Sequence, residues 1–107
     1  MKILLVSYEF MVRHPVKVAF RRIGHDVVEA SCVGQAIDVI NDNRDIDRIM
    51  IDMHLDSPLG AELVVSHARK VCTSPDLKIC VVDGDLDGCE TIYGPFGLQE
   101  LRQILCI

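Results

Sequence analysis

Three short runs of uninterrupted aliphatic residues constrain this chain most: Ile3 to Val6, Ile49 to Ile51 and Ile79 to Val82. A strand with one face in water alternates apolar and polar residues. A run that is apolar at every position needs cover on both faces, which a parallel sheet receives from helices. Val27-Val28 is a weaker strand candidate, and Thr91-Ile92-Tyr93 a short fifth. Helical spacing fills the intervals. It predicts a helix over about Met11 to Ile23, with Val12, Val16, Ala19, Phe20 and Ile23 on one face. Pro15 suits a first helical turn, so this helix is expected to start later than its apolar pattern, and Gly24 supplies the stop. Further helices are predicted over Val33 to Asn41, Ala61 to Val71 and Leu98 to Leu105. The inward faces are Ala36, Ile37 and Ile40, then Leu63, Val64, His67, Ala68 and Val71, then Leu98, Leu101, Ile104 and Leu105.

Strands that alternate with helices imply an α/β fold, a doubly wound parallel sheet with right-handed crossovers. Chemistry in such sheets sits at the carboxyl ends of the strands. Those ends carry Ser7, Tyr8 and Glu9, then Asp52, then Asp83, Gly84 and Asp85, then Gly94 and Pro95. The length of 107 residues fits one domain, residues 1–107. Without Trp and with few aromatics, the core must be aliphatic. A net charge of −5 and no Lys/Arg block argue against nucleic-acid binding by this domain, which needs clustered cations. No apolar run approaches the roughly 18 residues of a membrane span, and the apolar start is too short for a signal peptide. The five cysteines form no CxxC pair, so they read as reduced thiols of a cytosolic protein, without a zinc site.

Several segments, in order, resemble the receiver domain of two-component response regulators (the CheY-like family). Met1 to Val6 and the polar turn after it resemble that family's first strand. Ile49-Met50-Ile51-Asp52-Met53-His54-Leu55, followed by Gly60, resembles its phosphoacceptor strand and loop. Gly94-Pro95-Phe96-Gly97-Leu98-Gln99-Glu100-Leu101 resembles its Lys-Pro-Phe turn and last helix, with Gly in place of Lys. The resemblance spans essentially the whole chain. It implies a flavodoxin-like five-stranded sheet in the order 2-1-3-4-5 and a signalling module rather than an enzyme.

The same resemblance implies a degenerate site, that of a pseudo-receiver. The family holds Mg²⁺ with an acidic pair after the first strand, the acceptor Asp, and a backbone carbonyl two residues later. Here the pair's positions are Ser7 and Tyr8, and only Asp52 and the His54 carbonyl match. Glu9 is adjacent but is expected to point elsewhere. Mg²⁺ usually needs one or two anchoring carboxylates, so it is expected to bind weakly, with no other cofactor implied. Asp83 replaces the switch Thr/Ser and would repel a phosphoryl group. Gly94 replaces the Lys and removes its stabilising charge. Thr91 occupies the position of the switch aromatic. Asp52 is therefore expected to be a vestigial phosphoacceptor with no catalytic residues beside it.

Only Gly84 to Tyr93 separates the fourth strand from the Gly94-Pro95 turn, too few residues for the family's helix there. Loss of that helix predicts an uncovered apolar face at Ile79, Val81, Ile92 and Tyr93, serving another signalling protein, an attached output domain or a homodimer. The alternative cover is the Gly84 to Cys89 loop together with a shifted third helix. Three other readings stay open: an active receiver phosphorylated at Asp52, a flavodoxin-like domain binding a small ligand at its strand ends, and a cation site built from Asp52 and Asp83, with Asp56 or Asp85 as optional additions. Asp52-Met53-His54 also echoes a cobalamin-binding motif, but Ser57 stands where that motif has Gly. His14, His25 and His67 read as surface or helix-face residues.

Overall fold

A computed structural model describes residues 1–107. Five strands run β1 (Lys2–Val6), β2 (Asp26–Ala30), β3 (Arg48–Asp52), β4 (Lys78–Val82) and β5 (Glu90–Ile92). All pairings are parallel, in the order β2-β1-β3-β4-β5. Four helices accompany them: α1 (Phe10–Arg22), α2 (Val33–Asp42), α3 (Gly60–Val71) and α4 (Leu98–Leu105). This is the flavodoxin-like α/β architecture expected from the alternating pattern.

Period-two geometry divides the aliphatic runs between two cores. Leu4, Val6, Ile49, Ile51, Ile79 and Val81 face α2 and α3, meeting Ile40, Val64 and Ala68. Ile3, Leu5, Met50, Cys80, Val82 and Ile92 face α1 and α4, meeting Phe20, Leu101 and Leu105. This two-sided cover is the reason the runs are apolar throughout. The fifth strand lies one residue earlier than the Thr91 to Tyr93 candidate, and the second is longer than Val27-Val28.

α1 corrects the expectation drawn from Pro15. The helix starts at Phe10, so Pro15 lies inside it. Proline supplies no N–H for the carbonyl of Met11. Met11 is exposed, so water can satisfy that carbonyl. Ile23, Leu63 and Leu98, expected inward, are exposed at helix ends or on outer faces.

No helix joins β4 to β5, as the spacing predicted, but the uncovered face does not follow. Ile79 and Val81 are buried, with Leu86 and Cys89 of the connecting loop packed against their core. Ile92 is also buried, and it belongs to the opposite core because it pairs with Val82. Tyr93 alone of the four proposed surface residues is exposed. The loop lies tight on the sheet end: a Cβ on Gly84 would come 2.3 Å from Met53 Cγ. Arg69 of α3 straps it by donating from Nη2 to the Asp87 carbonyl at 2.7 Å.

Candidate functional site

The carboxyl ends of β1, β3 and β4 bring Ser7, Asp52 and Asp83 to one end of the sheet. Asp52 is the last residue of β3 and is only 8% exposed. Its Oδ1 accepts the His54 N–H at 2.9 Å, and its Oδ2 accepts the Ser7 hydroxyl at 3.4 Å. No ion pair reaches it. Ser7 is fully buried; its hydroxyl also accepts the Glu9 N–H at 3.2 Å. Tyr8 points outward, 61% exposed. The two positions of the expected acidic pair therefore present one inward hydroxyl and one outward phenol.

Asp83 follows β4 with φ of 58°. Non-glycine residues rarely adopt this left-handed region, and Asp is among those that tolerate it best. The turn lets Oδ1 accept the Gly94 N–H at 2.8 Å. Asp83 and Gly94, which replace a hydroxyl residue and a lysine in the resemblance, are thus bonded directly to each other.

Asp52 and Asp83 line a cleft of about 490 Å³. Glu9, expected to point elsewhere, lines it too. Its apolar wall includes Val12 and Val16 of α1, Val82, Pro95 and Phe96. Neither Asp56 nor Asp85 joins this group. Asp56 accepts the Val33 N–H at 3.0 Å at the start of α2, and Asp85 meets the Thr91 hydroxyl at 3.5 Å. The histidines likewise serve local contacts. His14 stacks on Phe10, His67 Nε2 meets Asn41 Oδ1 at 2.7 Å, and His25 meets the N-terminal amine at 3.2 Å.

Arg13 is the nearby cation that the sequence pattern did not single out. Its guanidinium bonds the Ser7 carbonyl and pairs with Glu29 at 3.3 Å, where Lys17 also pairs at 2.9 Å. Burial pushes the Glu29 pKa up, but the hydrogen bonds and charges of Lys17 and Arg13 outweigh it and hold the pKa below the usual carboxylate value. Arg13 is thus committed to fastening α1 to β1 and β2.

The donors around Asp52 do not fit Mg²⁺. No group of three His, Cys, Asp or Glu side chains lies close enough together to hold a metal ion. Ser7 and Tyr8 supply no carboxylate where the expected acidic pair would stand, and Mg²⁺ demands near-octahedral oxygen ligation, usually anchored by carboxylates. No helix is long and apolar enough to cross a membrane.

No family model matches the chain, and no curated protein matches it. Solved structures do match. A response regulator receiver protein from Sinorhizobium medicae WSM419 is 19% identical, with a TM-score of 0.81 over 99% of this chain and 94% of that one. A response regulator receiver domain from Clostridium thermocellum is 22% identical, with a TM-score of 0.81 over 98% and 90%. A structure described as the phosphorylated P1 domain of CheA3 in complex with CheY6, from R. sphaeroides, is 17% identical, with a TM-score of 0.72 over 99% and 97%. At these identities the likeness establishes the fold, which is that of receiver domains.

Proposed function

We propose that this chain is a receiver-like module of two-component signalling that works by protein interaction and not by phosphorylation of Asp52. The observation that carries this reading is the company Asp52 keeps. It occupies the strand-end position of a phosphoacceptor, yet its side-chain neighbour is the Ser7 hydroxyl. The cleft beside it holds Glu9 and Asp83 and no lysine or arginine. Phosphoryl transfer needs cations where negative charge develops. This site offers neither a lysine or arginine nor a close group of three metal-ligating side chains to hold a cation there. The module is read as a cytoplasmic, non-enzymatic one whose partners are signalling proteins or an attached output domain. Exposed Tyr8, Phe10 and Met11 follow β1 and offer an apolar surface for such a partner.

Incubation with acetyl phosphate and Mg²⁺, read by intact mass, tests the reading. The expected result is no adduct. An adduct that disappears in Asp52→Asn would restore the alternative, an active receiver phosphorylated at Asp52.

A further inference from the structure

We propose that Asp87 is a site of covalent modification: the Asp87-Gly88 step isomerises to isoaspartate in the folded protein, and Arg69 promotes it. An aspartate followed by glycine can close a five-membered imide ring, because glycine leaves the backbone nitrogen unhindered. The chain has two such steps, Asp83-Gly84 and Asp87-Gly88, both in the loop between β4 and β5. Their surroundings differ. Asp83 is tied down: its Oδ1 accepts the Gly94 N–H at 2.8 Å. Gly84 is packed against Met53, where a Cβ would come 2.3 Å from Cγ. Asp87 and Gly88 are both exposed. The Asp87 carboxylate joins no ion pair, and the Gly88 N–H reaches no backbone carbonyl.

The peptide group between Asp87 and Gly88 is held at its oxygen instead. Arg69 Nη2 donates to the Asp87 carbonyl at 2.7 Å. The guanidinium lies against Gly88, since a Cβ built there would come 2.7 Å from the same nitrogen. That contact acts on both steps of the reaction. In the first, the Gly88 nitrogen loses its proton and bonds to Asp87 Cγ, while a Cγ–O bond breaks and water leaves. Negative charge collects on the peptide oxygen as the proton departs, and the Arg69 cation stabilises it. In the second, water adds to the main-chain carbonyl carbon of Asp87, and the bond from that carbon to the Gly88 nitrogen breaks. The oxygen that takes the charge is again the one bonded to Arg69, so the ring opens at this carbonyl and not at Cγ. The chain then runs through Cγ, and the former carbonyl is a free carboxylate beside the guanidinium, a charge-assisted pair. One water leaves and one enters, so the mass is unchanged and no oxidant is needed. The product has an extra methylene in the backbone of the loop that packs Leu86 and Cys89 against the core.

The folded protein is incubated at neutral pH and digested with a protease that cuts at aspartate but not at isoaspartate. Chromatography of the peptides then measures each site. Isoaspartate should accumulate at position 87 about tenfold faster than at position 83, where a hydrogen bond must first be given up. In urea, where sequence alone acts, the two sites should age at similar rates, and position 87 more slowly than in the folded protein. Arg69→Gln keeps a donor and removes the charge, and Arg69 is exposed, so the fold tolerates the change. It should slow isomerisation at position 87 about three- to tenfold in the folded protein and change nothing in urea.

The proposal is overturned if position 87 gains no isoaspartate in the folded protein, or gains it no faster than in urea. An Arg69→Gln protein that ages at the same rate as the native one, or faster, removes the part assigned to Arg69 and overturns it equally.

Discussion

Arg48 is a buried cation whose partners are all backbone carbonyls. It is 6% exposed, opens β3, and bonds the carbonyls of Leu105, Asp47 and Asp76. The guanidinium fork suits this because its donors are fixed in one plane and can reach several acceptors at once. It ties α4 and the connection into β4 to the central strand. Arg48→Met keeps much of the stem and strands those carbonyls, at about 1–3 kcal/mol for each buried group left unsatisfied. Urea unfolding should show a loss of about 3 kcal/mol, with the m-value unchanged. The cysteines provide a second measurement at this scale. Burial pushes the Cys80 thiol up to about 12, with Glu90 adding to the effect, whereas Cys106 is exposed. The thiolate is the reactive form. A disulfide reagent at pH 8 should therefore modify Cys106 first and Cys80 last, the latter only on addition of denaturant.

At the scale of elements, the decisive segment is the loop between β4 and β5, which packs Leu86 and Cys89 against the core that contains Ile79 and Val81. It can lie that close because position 84 has no side chain. A methyl group there would collide with the Cβ and Cγ of Met53, at 2.7 and 2.3 Å. Gly34, on the exposed face of α2, contrasts with it: a Cβ there meets nothing within 4 Å. Gly84→Ala should cost about 1–3 kcal/mol through overpacking. Gly34→Ala should stabilise by about 0.4–1 kcal/mol by narrowing the unfolded ensemble. Thermal melts of the two variants should shift in opposite directions. The homodimer expected from an open face over Ile79 and Val81 loses its basis, because that face is already packed.

At the scale of the whole molecule, Asp47 joins the starts of three neighbouring strands. Its carboxylate accepts the Lys2 N–H at 3.0 Å and the Ser74 hydroxyl at 2.9 Å, and its carbonyl accepts the Lys78 N–H at 3.1 Å. The Lys2 N–H holds the carboxyl pKa below its ordinary value of 3.8; burial opposes this and the Ser74 hydroxyl adds to it. A depressed folded pKa stabilises above the unfolded value, and that stability disappears as pH falls through the folded pKa. The stability difference between the native protein and Asp47→Asn should therefore be complete at pH 6 and shrink as pH falls below about 4. Urea titrations at pH 6, 4 and 3 measure it. A difference that stays constant would mean that the carboxylate's charge contributes nothing.

The sequence by itself determined the sheet, the helix count and the absent helix. Ile3 to Val6 and Ile79 to Val82 are apolar at every position, and only cover on both faces makes that tolerable. Segment spacing is local information, so the missing helix between β4 and β5 was legible as well. The strand-end residues Ser7, Tyr8, Asp52, Asp83 and Gly94 were legible because strand ends in this architecture converge. The direction of each side chain was not. Glu9 entering the cleft, Ile92 facing the core opposite Ile79, and Arg13 fastening the Ser7 carbonyl all depend on register and helix docking. Pro15 inside α1 was misread from local propensity, because packing of Val16 and Phe20 holds the helix through it. Whether a face is open or covered was decided by the loop's path, which tertiary contacts between Gly84 and Met53 and between Arg69 and Asp87 fix and no local pattern encodes.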